Sequence, residues 1–161
     1  MVTREEVKAS VEYKWLGRQW KIYLGIFAFA MVIVAPIGLL KTNSLENIGV
    51  AFGILAVIYS LILGPFVLYF AWRQWELVHR CENYEKHQVR LEHPATSRWY
   101  RGAVLYRIQF RDNAGFMVNL DTRPLFHDGE FSVCSLSEYN NQMVEIFYDS
   151  EKERVILSRR V

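Results

Sequence analysis

Two histidines and a glutamate have the spacing best suited to metal chemistry in this chain. His87, Glu92 and His93 fall within seven residues, and both histidines would lie on the same side of an extended strand. Protein zinc sites use three or four such ligands at characteristic spacings, and no third histidine or cysteine follows at such a spacing. We therefore expect no metal, and we interpret these side chains as structural or surface groups.

The nucleophilic side chains lack the neighbours that would activate them. Cys134 comes after the pair His127-Asp128 but has no nucleophile motif around it, and no nearby serine stands in a Gly-x-Ser-x-Gly context. These serines are Ser132, Ser135 and Ser137. The sequence also lacks the glycine-rich loops that hold phosphates in nucleotide enzymes. We expect a non-enzymatic protein with no catalytic residue, no cofactor and no evident small-molecule substrate.

Charge and cysteine content narrow the function classes further. The chain has 161 residues and a formal net charge of +2, and from Arg80 onward the charges balance to zero. This balance disfavours a nucleic-acid partner. Cys81 and Cys134 are far apart, as expected for two free thiols that face a reducing compartment.

The element that organises the chain is an uncharged run at residues 48–72. It has 25 residues, and a bilayer core about 30 Å thick requires roughly 20 apolar helical residues. A second uncharged run occupies residues 22–40, contains Pro36, and is joined to the first by a short polar loop. Short loops join antiparallel helices, so the sequence predicts a transmembrane hairpin.

The predicted organisation has three parts. Residues 1–21 form an N-terminal helix, which begins at a Thr3–Glu6 capping box and is either amphipathic on the membrane surface or a solvated extension. Residues 22–78 form the hairpin, whose second helix we expect to continue to about Tyr84. Residues 79–161 form a soluble β domain.

Small residues share one face of the second predicted span. They let another helix approach closely, and this helix is either the chain's own first span or a membrane partner or second copy. The five residues are Gly49, Gly53, Ala56, Ser60 and Gly64. Neither span contains Asp, Glu, Lys, Arg or His, which argues against a transporter.

Aromatic and basic residues flank the two spans. Tryptophans near the span ends are expected to anchor at the membrane interface: Trp15, Trp20, Trp72 and Trp75. Basic residues cluster before the first span and after the second, while the loop between has only Lys41. The positive-inside rule therefore predicts that both termini and the β domain are cytoplasmic.

Hydrophobic periodicity changes from helical to alternating after residue 84. Residues 102–111 alternate apolar and polar, and a turn at residues 112–115 leads to a second strand at 116–120. Four further short segments have strand character: residues 87–91, 131–134, 143–148 and 154–157. Together they predict a small antiparallel barrel or meander of about six strands.

Arginines are concentrated in the first part of this β domain. Arg98, Arg101, Arg107 and Arg111 either pair across strands with acidic residues or face a protein partner or lipid phosphates.

The closing hairpin resembles that of an uncharacterised family of bacterial membrane-anchored small β domains. Tyr148-Asp149 match the family's Tyr-Asp motif, whereas Ser150 and Glu153 stand where prolines are usual. The resemblance extends over residues 102–157. It implies a small β domain beside membrane helices and a bacterial inner-membrane location, and it implies no activity.

The sequence as a whole predicts an integral protein of the bacterial inner membrane that acts as an interaction or accessory subunit. Its partners would be the bilayer and either a membrane protein or a second copy. Two other functions stay open, which are an immunity or inhibitor protein against a toxin, and a homo-oligomeric pore.

Overall fold

The computed structural model describes residues 2–34, 45–96, 103–126 and 134–161. The chain divides into two compact units. One unit joins the N-terminal residues up to Trp15 with Trp75–Val161, and the other is Leu16–Gln74.

Helices occupy the first half of the chain. Helix α1 (Arg4–Ala9) begins at the predicted capping box, in which Thr3 and Glu6 bond each other's backbone N–H groups, and this prediction is confirmed. Helix α2 (Val11–Phe29) follows directly and passes into a π-helical turn (Ala30–Val34). Helix α3 (Leu45–His79) is 35 residues long and contains Pro65.

Helices α2 and α3 pack side by side in the second unit. Tyr23 of α2 stacks on Phe66 and Phe70 of α3, with ring centroids 5.3 and 5.8 Å apart. Earlier in α2, Trp20 donates a hydrogen bond to Gln74, which lies later in α3. Residues later in α2 therefore contact residues earlier in α3, so the two helices are antiparallel.

Within the described residues, one helical segment is long and apolar enough to cross a membrane, namely Phe52–His79 of α3. Exposed apolar side chains cover much of this segment, and Leu61 and Leu68 are each 71% exposed. The transmembrane hairpin as predicted is not shown. Charged residues occupy the first half of α2, and residues 35–44, which include Pro36, lie outside the described part.

Helix α3 ends at His79 instead of continuing to about Tyr84 as predicted. Arg80 leaves the helical conformation, and a 3₁₀ turn (Cys81–Asn83) leads directly into the first strand.

Six strands form two antiparallel three-stranded sheets. They are β1 (Tyr84–Arg90), β2 (His93–Thr96), β3 (Val104–Arg111), β4 (Met117–Asp121), β5 (Met143–Asp149) and β6 (Arg154–Arg160). The strand orders are β1-β5-β6 and β2-β3-β4. A short helix, α4 (Leu136–Tyr139), precedes β5.

The two sheets share one hydrophobic core. The inward face of β3 supplies Tyr106, Ile108 and Phe110, which are all buried. Phe110 meets Tyr148 of the other sheet edge-on, with ring centroids 5.2 Å apart. Val11 and Trp15 of α2 also pack against this core. The start of α2 therefore contributes to the core of the β domain.

Most predicted strands lie close to observed ones, but the observed arrangement of the strands in sheets differs from the prediction. Strand β1 pairs with β5, so the chain leaves this sheet after β1, builds the β2-β3-β4 sheet and then returns. The result is two sheets instead of one barrel or meander. Strand β2 was not predicted, and the strand predicted at 131–134 lies outside the described residues apart from Cys134.

Candidate functional site

An apolar groove of about 230 Å³ lies in the helical unit, between α2 and α3. Two residues of the predicted small-residue face, Ser60 and Gly64, form part of its wall. Helix α2 contributes Leu24 and Phe27 to the same groove. The small residues and the first helix therefore border one open space.

The glycines of the small-residue face also have open space beside them. A Cβ atom built on Gly53 or Gly64 would meet no atom within 4 Å. Ala56 is partly exposed and Ser60 is exposed, while Gly49 lies near the start of α3. Another helix or an acyl chain could approach this face without displacing any described side chain.

Helices α2 and α3 are in close contact at Gly17, which the sequence analysis did not single out. A Cβ atom on Gly17 would lie 2.6 Å from Nε2 of Gln74. The Nε1–H group of Trp20 donates a hydrogen bond of 2.9 Å to Oε1 of the same glutamine. Gly17 lies inside the predicted N-terminal helix, and a glycine at such a position often marks a close contact. This feature of the sequence could have indicated the contact with Gln74.

The four predicted anchor tryptophans have different surroundings. Trp15 packs against the β-domain core, and Trp20 bonds Gln74. Trp72 is exposed and lies below the guanidinium of Arg73, 5.9 Å from the ring centroid. Trp75 is exposed and its ring lies 3.8 Å from that of His79. Exposure suits an interfacial role best at Trp72 and Trp75, and the anchoring role stays a prediction.

A cluster of ion pairs fixes the last turn of α3 to the closing β5–β6 hairpin. Arg80 donates two hydrogen bonds to the fully buried carboxylate of Asp149, at 2.8 and 2.9 Å. The same guanidinium reaches exposed Glu151 at 2.6 Å. Of the Tyr-Asp motif, Asp149 holds this corner, whereas Tyr148 packs against Phe110 of the other sheet.

Further pairs extend the cluster within the β unit. Buried Glu76 of α3 bonds Lys152 of the hairpin turn and lies 3.6 Å from Arg154. Buried Glu12 of α2 lies 2.8 Å from Arg123. Charged groups are rarely buried unless they are paired, and these carboxylates all have cationic neighbours. The arrangement is typical of a structural ion-pair network.

The network shifts proton affinities in directions that fit this role. Burial acts to raise the pKa of Asp149, but the hydrogen bonds and charge of Arg80 outweigh it and hold the pKa below its ordinary value. Hydrogen bonds to Asp149 and Glu151 raise the pKa of Arg80. Glu6 bonds Lys86 at 2.5 Å, which lowers the pKa of Glu6 to about 2.

Of the four arginines predicted as a partner or lipid surface, two can be placed. Arg107 and Arg111 lie on the exposed face of β3, and Arg107 pairs with Asp121 across the sheet at 3.1 Å. Arg98 and Arg101 lie outside the described residues.

The described histidines considered for metal binding have different surroundings. His87 contacts Glu85 at 3.2 Å and the ring of Phe110, whereas His93 lies at the start of β2. No group of three metal-ligand residues occurs in the part of the chain that the structure describes. Burial, followed by the charge of Glu138, raises the pKa of the Cys134 thiol to about 12, so this thiol is a poor nucleophile.

Three of the residues considered for nucleophilic chemistry have no structural description. His127, Asp128 and Ser132 fall outside the described residues. Ser135 and Ser137 are described, and their hydroxyl oxygens lie 2.8 Å apart beside α4.

Compared with models of protein families, with curated proteins and with solved structures, the chain shows no match. The family resemblance of the closing hairpin therefore stays a prediction, and the function rests on the geometry of this chain.

Proposed function

We propose that this protein is an integral membrane interaction or accessory protein, without enzymatic activity, that binds a membrane partner or a second copy through its helices. The observation that carries the proposal is the apolar groove between α2 and α3, whose wall includes Ser60 and Gly64. Small residues permit the close backbone contact on which helix association in lipid depends.

Exposure of the helices supports membrane insertion. The apolar side chains of α3 are exposed on several sides, and the later part of α2 also exposes Phe29 and Val32. Contiguous apolar surface of this extent is unusual on a soluble monomer. Both helices therefore span the bilayer in this proposal, as an antiparallel hairpin.

Flanking basic residues support the orientation. Arg4, Lys8, Lys14, Arg18 and Lys21 precede the first span, while the connecting loop has Lys41 alone. The proposal places both termini and the β domain in the cytoplasm of a bacterium, at the inner membrane. A reporter that is active only in the periplasm should be inactive when fused after Val161 and active when inserted in the loop at 41–47. The reverse pattern would contradict this orientation.

A double substitution tests the interface. Ala56→Leu together with Ser60→Leu adds bulk to the small-residue face and should disrupt the contact with a partner helix. A matched control is Ile54→Leu with Ile58→Leu, because these exposed residues lie two positions earlier and so on the opposite side of α3. Unchanged oligomer size and unchanged co-purification in the first variant would refute the interface.

The same preparation separates the alternative functions. A stoichiometric foreign membrane subunit would support the accessory role, a toxin would support the immunity role, and a symmetric ring would support a pore. The β domain contributes a second contact surface through its exposed arginines, Arg107 and Arg111.

A further inference from the structure

A polar cleft of about 350 Å³ lies in the β domain. It is lined by Arg90, Glu92, His93, Arg107 and Gln109. We propose that this cleft binds a phosphate ester through the two arginines, His93 and Gln109.

The sheet brings these residues together from three segments. Arg90 ends β1, Glu92 lies in the turn that follows, and His93 begins β2. His93 is the direct partner of Arg107 in the β2–β3 register. Gln109 lies two residues further along the exposed face of β3, on the same side as Arg107.

The corner that holds Arg90 is firmly connected to the rest of the fold. Leu91 exchanges two backbone hydrogen bonds with the segment before β5, one to the carbonyl of Gln142 at 3.1 Å and one from the N–H of Asn141 at 2.8 Å. The carbonyl of Asn141 also accepts a hydrogen bond from Nε of Arg90 at 3.2 Å. This bond orients the guanidinium of Arg90, and an oriented donor loses less freedom when it binds a ligand.

The chemistry of the lining selects an oxyanion with several acceptors. Nε of Arg90 bonds the carbonyl of Asn141 and lies 3.6 Å from the carboxylate of Glu92, and Nε of Arg107 pairs with Asp121. These contacts engage Nε, and each guanidinium has four further N–H donors. Two guanidinium groups, an imidazole and an amide offer more donors than a single carboxylate ligand would use. Phosphate oxygens match this donor set because arginine binds them with two parallel bonds.

Glu92 restricts the rest of the ligand. Its carboxylate would repel a second phosphate, and it would accept a hydrogen bond from a hydroxyl or ammonium group on the organic part of the ester. The cleft volume is near the lower end of the range for small-molecule sites, about 300–1,000 Å³. A small phosphate ester with one donor group fits both conditions, whether it is a soluble metabolite or the headgroup of an anionic phospholipid.

Strand β3 supplies a matched control. Arg111 is exposed on the same face as Arg107 but does not line the cleft. If binding were a general attraction of anions to a basic surface, Arg107→Gln and Arg111→Gln would weaken it equally. If the cleft is the site, Arg107→Gln weakens it and Arg111→Gln leaves it nearly unchanged.

The experiment uses the full chain purified in a mild zwitterionic detergent, with two probes. Glycerol 3-phosphate is titrated by calorimetry, and phosphatidylglycerol is added before native mass spectrometry, with phosphatidylcholine as the reference lipid. We expect one equivalent of at least one phosphate probe to bind, and Arg107→Gln to weaken it about tenfold or more, which corresponds to the loss of a charge-assisted bidentate contact. Arg111→Gln should change the affinity less than about twofold.

Each outcome decides the question. Binding of glycerol 3-phosphate alone would identify a soluble ester as the ligand class, binding of phosphatidylglycerol alone would identify a lipid headgroup, and binding of both would leave the phosphate as the shared determinant. Absence of binding to either probe, or equal weakening by the two substitutions, would overturn the proposal. Arg90→Gln provides a second cleft variant, and each variant's thermal unfolding shows whether it is folded.

Discussion

Asp149 provides the most quantitative test of how the last turn of α3 is held to the closing hairpin. The substitution Asp149→Asn preserves the side-chain volume but removes the negative charge and one of the two oxygens that face Arg80. Removal of one partner from a buried ion pair costs about 3–5 kcal/mol of the free energy of unfolding. Arg80 is 22% exposed and keeps its bond to Glu151, so we expect a smaller loss of about 2–4 kcal/mol.

Glu151 offers an internal control on the same arginine. Its carboxylate lies 2.6 Å from Arg80 but is 64% exposed, whereas Asp149 has no exposed side-chain surface. Exposed ion pairs contribute about 0–1 kcal/mol. We therefore expect Glu151→Gln to lower the free energy of unfolding by less than about 1 kcal/mol.

Hydrogen exchange measures the two variants in the intact chain. The full protein in mild detergent is titrated with urea at neutral pH, and the free energy of opening is read from the backbone amides of β5. Equal losses in the two variants, or a loss below about 0.5 kcal/mol for Asp149→Asn, would refute the burial argument.

The same pair predicts a dependence on pH. The pKa of Asp149 in the folded protein lies below its ordinary value of 3.8, because Arg80 outweighs the effect of burial. The stabilisation is therefore complete above the unfolded-state pKa and is lost as the pH falls through the folded-state pKa. Between about pH 5 and pH 2 the wild-type β unit should lose more stability than Asp149→Asn, which has no carboxylate at this position. Parallel pH curves for the two proteins would contradict the assignment.

Three further substitutions give independent checks. Gly17→Leu should destabilise the helix pair by about 1 kcal/mol in thermal unfolding, because a Cβ there would lie 2.6 Å from Nε2 of Gln74 and would displace the amide that accepts a hydrogen bond from Trp20. A Cβ at Gly25 would meet no atom within 4 Å, so Gly25→Leu should not destabilise the pair. In a Cys81→Ala chain, Cys134 should resist a maleimide at about pH 8 until urea unfolds the domain, because its thiol is buried with a pKa of about 12. Fast labelling of the folded chain would disprove this expectation. Gly115→Ala should cost about 1–2 kcal/mol in urea unfolding, since φ is +88° at this turn, and an unchanged midpoint would count against the observed turn.

Alternation made the strands with one buried face predictable. The β3 sequence places Tyr106, Ile108 and Phe110 inside and Arg107 outside, as the period of two requires. The turn at Gly115 was predicted for the same kind of reason, because glycine tolerates a positive φ. The alternation and the turn depend on residues that are close together in the chain, so both can be predicted from a single sequence.

Strand β2 and the partition into two sheets could not be predicted in this way. All four residues of β2, from His93 to Thr96, are exposed, so no buried alternation marks the strand, and its pairing with β3 defines it. The pairing of β1 with β5 joins segments more than 50 residues apart, which local periodicity does not encode.

The charged corner and the cleft were missed for the same physical reason. Glu76 meets Lys152, and Arg90 shares a cleft with Arg107, only after the sheets have formed. The small-residue face was visible in the sequence because Ser60 and Gly64 follow the helical repeat within one element.

The native mass of the protein, extracted in mild detergent from the cells that produce it, tests the proposed interaction function most directly. We expect a stoichiometric complex with a membrane protein or with further copies. Ala56→Leu with Ser60→Leu should shift this complex to the single chain, whereas Ile54→Leu with Ile58→Leu should preserve it. A single chain in every preparation would contradict an interaction function based on the helix groove. A complex whose mass is unchanged by Ala56→Leu with Ser60→Leu would contradict it as well.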